Sequence, residues 1–384
     1  FVGLGLAFGL LGVAYPSMRA EFNLPLDAVG SLLLLQTGSY IVASFYSRRI
    51  IARLGTGKTL VISALVMGMG LLGYALAPSW ETLIAIGLVL GIGNGLVDAG
   101  LNSYIAAYYK AREMNWLHAS FGIGTTISPL LMTTVLERGL SWRASYGGAA
   151  ALVLVLAGVI VLTVRRWRDD LPQTGEARPV VQASMSATLR MPLVWLSVAL
   201  FFAYAGLEMG VGQWAYTVFT EGRGLPTETA GLWVTVYWGS FTVGRLFFGA
   251  ISSRLSVYLT LRLCMIGTII GALLWALRLN PALDFTGLAL LGFAQAPLFP
   301  LLILTTADRV GVAHAANAIG FQVSAAGLGI ALLPGLVGTL AAGMGLNVIA
   351  PFFLVLAALV LVLHEFSVMV RPQRVAVPRA SGAD

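Results

Sequence analysis

Long apolar stretches recur along the whole chain, each broken by a short cluster of charge, proline or glycine. A bilayer core needs about 20 apolar residues as helix. Twelve stretches approach or meet that length, near residues 1–17, 28–47, 58–77, 82–107, 114–136, 142–164, 192–220, 229–252, 257–277, 285–307, 313–341 and 345–368. The longest polar interruption holds Arg165, Arg166, Arg168, Asp169, Asp170, Pro172 and Pro179, and it divides the stretches six and six. The pattern predicts an all-α membrane protein: twelve transmembrane helices in two pseudo-symmetric six-helix bundles. The expected boundaries are 1–168 for the first bundle, 169–191 for a cytoplasmic linker, 192–370 for the second bundle and 371–384 for a cytoplasmic tail.

Composition narrows the classes. Charged residues are 10% and hydrophobic residues 58% of the 384, whereas soluble domains carry roughly 25% charge. A soluble enzyme, a nucleic-acid binder and a disordered scaffold are all disfavoured. The net charge of +7 has a topological source. With the first helix running outward, the outer loops hold only Arg19, Arg138, Arg143, Arg223 and Arg278, and Arg245 lies within a span. The other seventeen of the 23 Lys and Arg fall on the opposite side. Positive charge marks cytoplasmic loops, so both termini are expected inside the cell membrane, and the +7 needs no nucleic acid. Phe1 opens within an apolar stretch without a Met, which reads as a trimmed start rather than a cleaved signal peptide. The lone Cys264 excludes an internal disulfide and a cysteine metal cluster. His118, His314 and His364 are too few and too scattered for a histidine metal site. No metal and no cofactor are expected.

The halves repeat. A shift of 201 positions places Leu24, Pro25, Asp27 and Gly30 on Leu225, Pro226, Glu228 and Gly231. The same shift brings Gly38 and Ser39 onto Gly239 and Ser240, Arg53 and Leu54 onto Arg254 and Leu255, Gly91 onto Gly292, and Asn94 onto Gln295. Two six-helix halves of the same direction are a transporter architecture, with the solute site near mid-membrane between them.

Polar groups inside hydrocarbon are costly, so each one there is a candidate for function. Asn94, Asp98 and Asn102 recur every four residues and share one helix face. They form a polar stripe with a protonatable centre; a structural carboxylate bridging two helices is the alternative. Glu208 shares a face with Tyr204 and is followed by Gln213, Trp214 and Tyr216. Rings stack on C–H faces and a carboxylate accepts hydroxyl hydrogen bonds, so this face suits a polyhydroxyl ligand. An ion pair with Arg245, holding two helices together, is the competing structural reading. Arg245 is a candidate gate residue, or else snorkels to the surface. His118, with Phe121 on its face, is a candidate for solute bonding or proton relay, or else a satisfied histidine at the helix start. Gln295 precedes Pro297 and Pro300, which are expected to bend its helix. Gln36, Asn317 and Gln322 are further amides, and Trp233, Tyr237 and Trp238 form either a cap over a ligand or a lipid-facing belt.

At these residues the chain resembles the major facilitator superfamily. Arg53, Leu54, Gly55 and Lys58 resemble its cytoplasmic loop between helices two and three, with Ala52 where that motif has Asp. Three segments resemble the fucose–galactose–glucose:proton symporter branch: Gly95–Asp98–Asn102, Asn115–His118–Phe121–Gly124, and Tyr204–Glu208–Gly212–Trp214. The run from Gly292 to Pro300 resembles that branch's helix ten. The resemblance implies protonation of Asp98 during transport and sugar contact at His118. It departs in the first helix, where Phe1–Pro16 has no carboxylate, so Glu208 is the second candidate for proton coupling.

The leading expectation is a secondary transporter of a sugar-like polar solute, coupled to protons by symport through alternating access. Asp98 and Glu208 handle the proton. Asn94, Asn102, His118, Tyr204, Gln213, Trp214, Tyr237, Trp238, Gln295, Asn317 and Gln322 contact the solute. One chain supplies both halves, so a monomer suffices. Efflux of amphipathic compounds on the same fold and a non-transporting membrane receptor are the alternatives. An enzyme would need a clustered nucleophile and base or metal ligands in the spans, and the sequence offers neither.

Overall fold

The computed structural model describes residues 1–109, 111–167, 183–251 and 254–370. The tail 371–384, most of the linker, and the basic residues Lys110, Arg168, Arg178, Arg371, Arg374 and Arg379 lie outside the described residues. The first half holds α1 (Val2–Phe22), α2 (Val29–Leu54), α3 (Thr56–Leu76), α4 (Trp80–Tyr108), α5 (Ala111–Glu137) and α6 (Trp142–Thr163). The second holds α7 (Pro192–Thr217), α8 (Thr227–Ile251), α9 (Val257–Leu277), α10 (Pro281–Gln295), α11 (Val312–Met344) and α12 (Ile349–Met369). Local chemistry sets several boundaries. Ser79 caps α4 by accepting from Thr82 N–H, and Asn280 caps α10 by accepting from Leu283 N–H. Asn23 ends α1 in the left-handed conformation, and Gly55 breaks the chain between α2 and α3 at φ 81°.

The protein is an integral multi-pass membrane protein. Among the described residues, eleven helices are long and apolar enough to cross a membrane. The exception is α8. It spans 25 residues, but its Thr, Ser, Gly and Tyr residues and Arg245 dilute its apolar content. The span expected near 285–307 runs Pro281–Leu304, and it is interrupted after Gln295, as its prolines predict. Pro297 has no N–H to donate, and the helix resumes as Leu298–Leu304.

Packing repeats between the halves. In the first, α2 and α3 lie on α4, α3 on α6, and α1 on α5. In the second, α8 and α9 lie on α10, α9 on α12, and α7 on α11. Each pair is the repeat mate of the other. The halves meet through α2 against α11 and, equivalently, α8 against α5. Close backbone approach obeys the same shift. A Cβ on Gly91 would strike the Gln36 carbonyl, and one on its mate Gly292 would strike the Tyr237 carbonyl. Positions 36 and 237 are themselves 201 apart.

These two glycines therefore make a matched prediction. Gly91→Ala and Gly292→Ala each force backbone apart at α2–α4 and α8–α10. Each is expected to cost about 1–3 kcal/mol, as overpacking does, and to lower the thermal midpoint of the purified protein in detergent. An unchanged midpoint in both variants would contradict the packing.

Candidate functional site

The polar side chains gather into two clusters, one in each half. In the first, α4 presents Asp98. The Tyr40 hydroxyl of α2 donates to Asp98 Oδ2 at 2.5 Å, and Asn102 Nδ2 donates to Asp98 Oδ1 at 3.0 Å. Both carboxyl oxygens thus hold a donor. The stripe continues on the facing helix. Gln36, Tyr40 and Ser44 recur every four residues on α2; Ser44 donates to the Gly95 carbonyl at 3.1 Å, and Gln36 accepts from the Tyr74 hydroxyl at 3.1 Å. Gly95 permits this approach, because a Cβ there would strike the Tyr40 carbonyl. Asn94 is buried beside it, and its Oδ1 has no hydrogen-bond partner among the described residues.

The second cluster draws on α7, α8 and α10. The Tyr204 hydroxyl faces Glu208 Oε2 at 2.5 Å and the Gln295 carbonyl at 2.9 Å. Across from it, the Tyr237 hydroxyl faces the Glu208 carbonyl at 2.8 Å and Gln295 Oε1 at 2.9 Å. A hydroxyl donates one hydrogen, so each tyrosine has one more acceptor than it can serve. Among the described residues, Glu208 Oε1 accepts no hydrogen bond and the buried Gln295 Nε2 donates none. This network has unused capacity for hydrogen bonds on both sides: an acceptor oxygen and an amide donor. The Trp238 ring lies 5.0 Å from Tyr237, and a Cβ on Gly212 would press into it.

Arg245 and His118 lie near this cluster without joining it. The Arg245 guanidinium sits 4.4 Å over the Phe241 ring and makes no direct ion pair among the described residues. It is close enough to act electrostatically on Glu208 and on His118 of α5. His118 meets Phe1 edge-on at 5.8 Å.

The remaining sequence candidates stand elsewhere. Asn317, at the start of α11, donates to the Ala183 carbonyl at 2.9 Å and to Thr188 Oγ1 at 3.3 Å, so it ties down the end of the linker. Gln322 is buried and accepts from Thr306 at 3.0 Å. Gln213 is buried where Gly12 of α1 meets α7, and its Nε2 is unpartnered among the described residues. Trp214 donates to the Pro334 carbonyl at 3.0 Å and meets the Tyr15 ring edge-on at 6.1 Å.

Those last contacts belong to a seal. At the end of the bundle opposite the termini, here the turn end, Arg19 of α1 pairs with Glu221 beyond α7 at 3.0 Å. Gly30 of α2 lies so near α11 that a Cβ would come within 2.9 Å of Gly335 Cα. On the equivalent seam, Gly231 of α8 abuts Thr133 of α5. The halves are closed on each other at this end.

Sequence reasoning passes over Tyr40. Its signal is present: a hydroxyl in an apolar span, four residues from Gln36 and four from Ser44. What the sequence lacks is the partner, 58 positions away on another helix.

Comparison with known proteins agrees with this architecture. The family model described as Major Facilitator Superfamily matches residues 1–334. "Bypass of stop codon protein 6" of Saccharomyces cerevisiae is 22% identical, over 94% of this chain and 79% of its own length. The glucose/mannose transporter GlcP of Bacillus subtilis is 21% identical, over 88% of this chain and 85% of its own. Among solved structures, a mutant of the nucleoside transporter NupG superposes with a TM-score of 0.78 at 14% identity, covering 96% of this chain and 97% of that one.

Proposed function

Because the chain belongs to the Major Facilitator Superfamily, and so is a secondary transporter moving small solutes across a membrane, we propose that its solute is a sugar-like polar molecule carried together with protons by symport. The single observation behind this reading is the Glu208–Tyr204–Tyr237–Gln295 network. It combines a carboxylate oxygen and an amide donor left without partners among the described residues with aromatic faces. A polyhydroxyl solute both donates and accepts hydrogen bonds and offers C–H faces to rings, so it uses every part of that set. The name of the Bacillus relative, a glucose/mannose transporter, supports the same solute class. So do the short segments that resemble the fucose–galactose–glucose:proton symporter branch.

Asp98 is the group read as carrying the proton. An ionised carboxylate is expensive to hold in a low-dielectric span while the halves move past each other. A proton taken up with the solute removes that charge, and release on the far side restores it. With positive loop charge marking the cytoplasm, both termini lie inside and the turn end faces out. The seal at the turn end then belongs to an outward-closed state. A single chain carries both halves and is read as the working unit.

Glu208→Gln tests the solute assignment. The amide still accepts from Tyr204 but replaces a charged acceptor with a neutral one. A hydrogen bond to a charged group contributes about 1.5–3 kcal/mol against about 0.5–1.5 kcal/mol for a neutral one, so sugar affinity is expected to fall by roughly five- to tenfold. Tryptophan fluorescence of purified protein, titrated with hexoses and deoxyhexoses, reads this directly. Wild-type silence toward every sugar, with a saturable response to amphipathic cations, would replace the sugar reading by efflux of amphipathic compounds.

A further inference from the structure

Away from both polar clusters, the bundle has a groove at its terminal end, where α7 begins and α12 finishes. Its volume is about 650 Å³, and its walls are Leu189, Arg190, Pro192, Trp195, Leu196 and Val370. All of these but Arg190 are apolar. Trp195 is exposed, and its indole N–H is fixed on the Leu189 carbonyl at 2.8 Å. Met185 is exposed on the same short helix, Met185–Leu189, which lies outside the spans. Spaced four apart, Met185 and Leu189 share a face. Thr188, the neighbour of Leu189, holds that helix to α11: its Oγ1 lies 2.9 Å from His314 Nδ1 and accepts from Asn317. Arg190 is exposed on the rim and has no ion pair or side-chain hydrogen bond among the described residues.

The combination selects an occupant. An apolar groove at the end of the spans sits where acyl chains meet headgroups. An exposed tryptophan is at home at that depth. An exposed arginine on the rim, without an ion pair among the described residues, calls for an anion, and basic residues beside a membrane bind anionic lipids. We propose that this groove holds one anionic phospholipid, its phosphate on Arg190 and the upper part of an acyl chain along Trp195, Leu196 and Val370. The site is independent of the solute. Through Thr188 it adjoins the linker end that Asn317 and His314 hold against α11, one of the helices at the seam between the halves.

The test uses the full chain purified in detergent and exchanged into nanodiscs of phosphatidylcholine containing a minor fraction of phosphatidylglycerol. Native mass spectrometry counts retained lipid. Wild type is expected to prefer phosphatidylglycerol by about fivefold, the equivalent of about 1 kcal/mol for one basic group at a membrane surface. Arg190→Gln should bring the preference near unity, and Arg190→Lys should keep most of it. Phosphatidylglycerol with brominated chains should quench a fluorescence component that Trp195→Phe removes. The proposal is overturned by equal retention of the two lipids in wild type, or by an undiminished preference in Arg190→Gln. It is equally overturned by quenching that is the same in Trp195→Phe, or by inorganic phosphate alone displacing the retained lipid.

Discussion

Asp98→Asn is expected to lower proton-driven sugar uptake by about 100-fold or more, while exchange of labelled for unlabelled sugar across equilibrated membranes changes little. The side chains explain the split. An asparagine at 98 keeps an oxygen for the Tyr40 hydroxyl and keeps its neighbour Asn102, so the α2–α4 contact survives. What it loses is the capacity to change charge. Exchange needs only that the loaded halves rock, and a permanently neutral residue permits that. Net uptake against a gradient needs a proton to be taken up and released with each solute, and an amide carries none, so the proton gradient no longer drives the sugar. A hundredfold loss corresponds to about 2.7 kcal/mol in the rate-limiting step. Proteoliposomes with an imposed pH gradient measure uptake, and the same vesicles without the gradient measure exchange. Equal loss of both activities would make Asp98 a structural carboxylate, as the sequence alone also allows.

The second large effect lies at the seal. Gly30→Trp places an indole where α2 and α11 approach to backbone contact at Gly335. Neither backbone can yield without moving its whole half. The sealed state is therefore destabilised relative to one in which the turn end is open. Shifting a two-state balance from 99:1 to 1:99 takes about 5.5 kcal/mol. An indole forced into a glycine–glycine contact supplies a large part of that. Arg19 and Glu221 provide the readout, being 3.0 Å apart across the seal. In a Cys264→Ala background, Arg19→Cys with Glu221→Cys is expected to cross-link readily with a short bifunctional reagent. Adding Gly30→Trp should reduce that cross-linking several-fold and stop transport while solute binding persists. Unchanged cross-linking would mean that the seam accommodates the indole.

Much of the architecture is legible because each helix must satisfy hydrocarbon along its full length, and that demand leaves a one-dimensional trace. The six-and-six division follows from it, and the 201-residue shift shows in the loop residues and glycines that the two halves share. So does the broken tenth helix, since Pro297 and Pro300 announce the interruption. The eighth helix reads as a span although it is not among the eleven helices long and apolar enough to cross a membrane, and it lies packed on α5 and α10. Polar residues are harder. A period of four gives the face of a helix, as for Asn94, Asp98 and Asn102, but not what the face meets. Asn317 looks like Gln295 in sequence, yet one fastens the linker and the other joins the Glu208 network. Trp214 sits six residues after Glu208 but seals the turn end instead. Tyr40 carries no mark of its own, because its importance depends on the partner that α2–α4 packing brings to it.

Joint movement of solute and proton is tested most directly by a pH recording from a weakly buffered suspension of wild-type proteoliposomes. D-glucose, and then a panel of deoxyhexoses, is added outside under potassium and valinomycin. Symport predicts external alkalinisation that starts with sugar entry, saturates with sugar concentration, and is absent in Asp98→Asn vesicles. Sugar entry with no pH change, or entry that follows a sodium gradient instead, would contradict it.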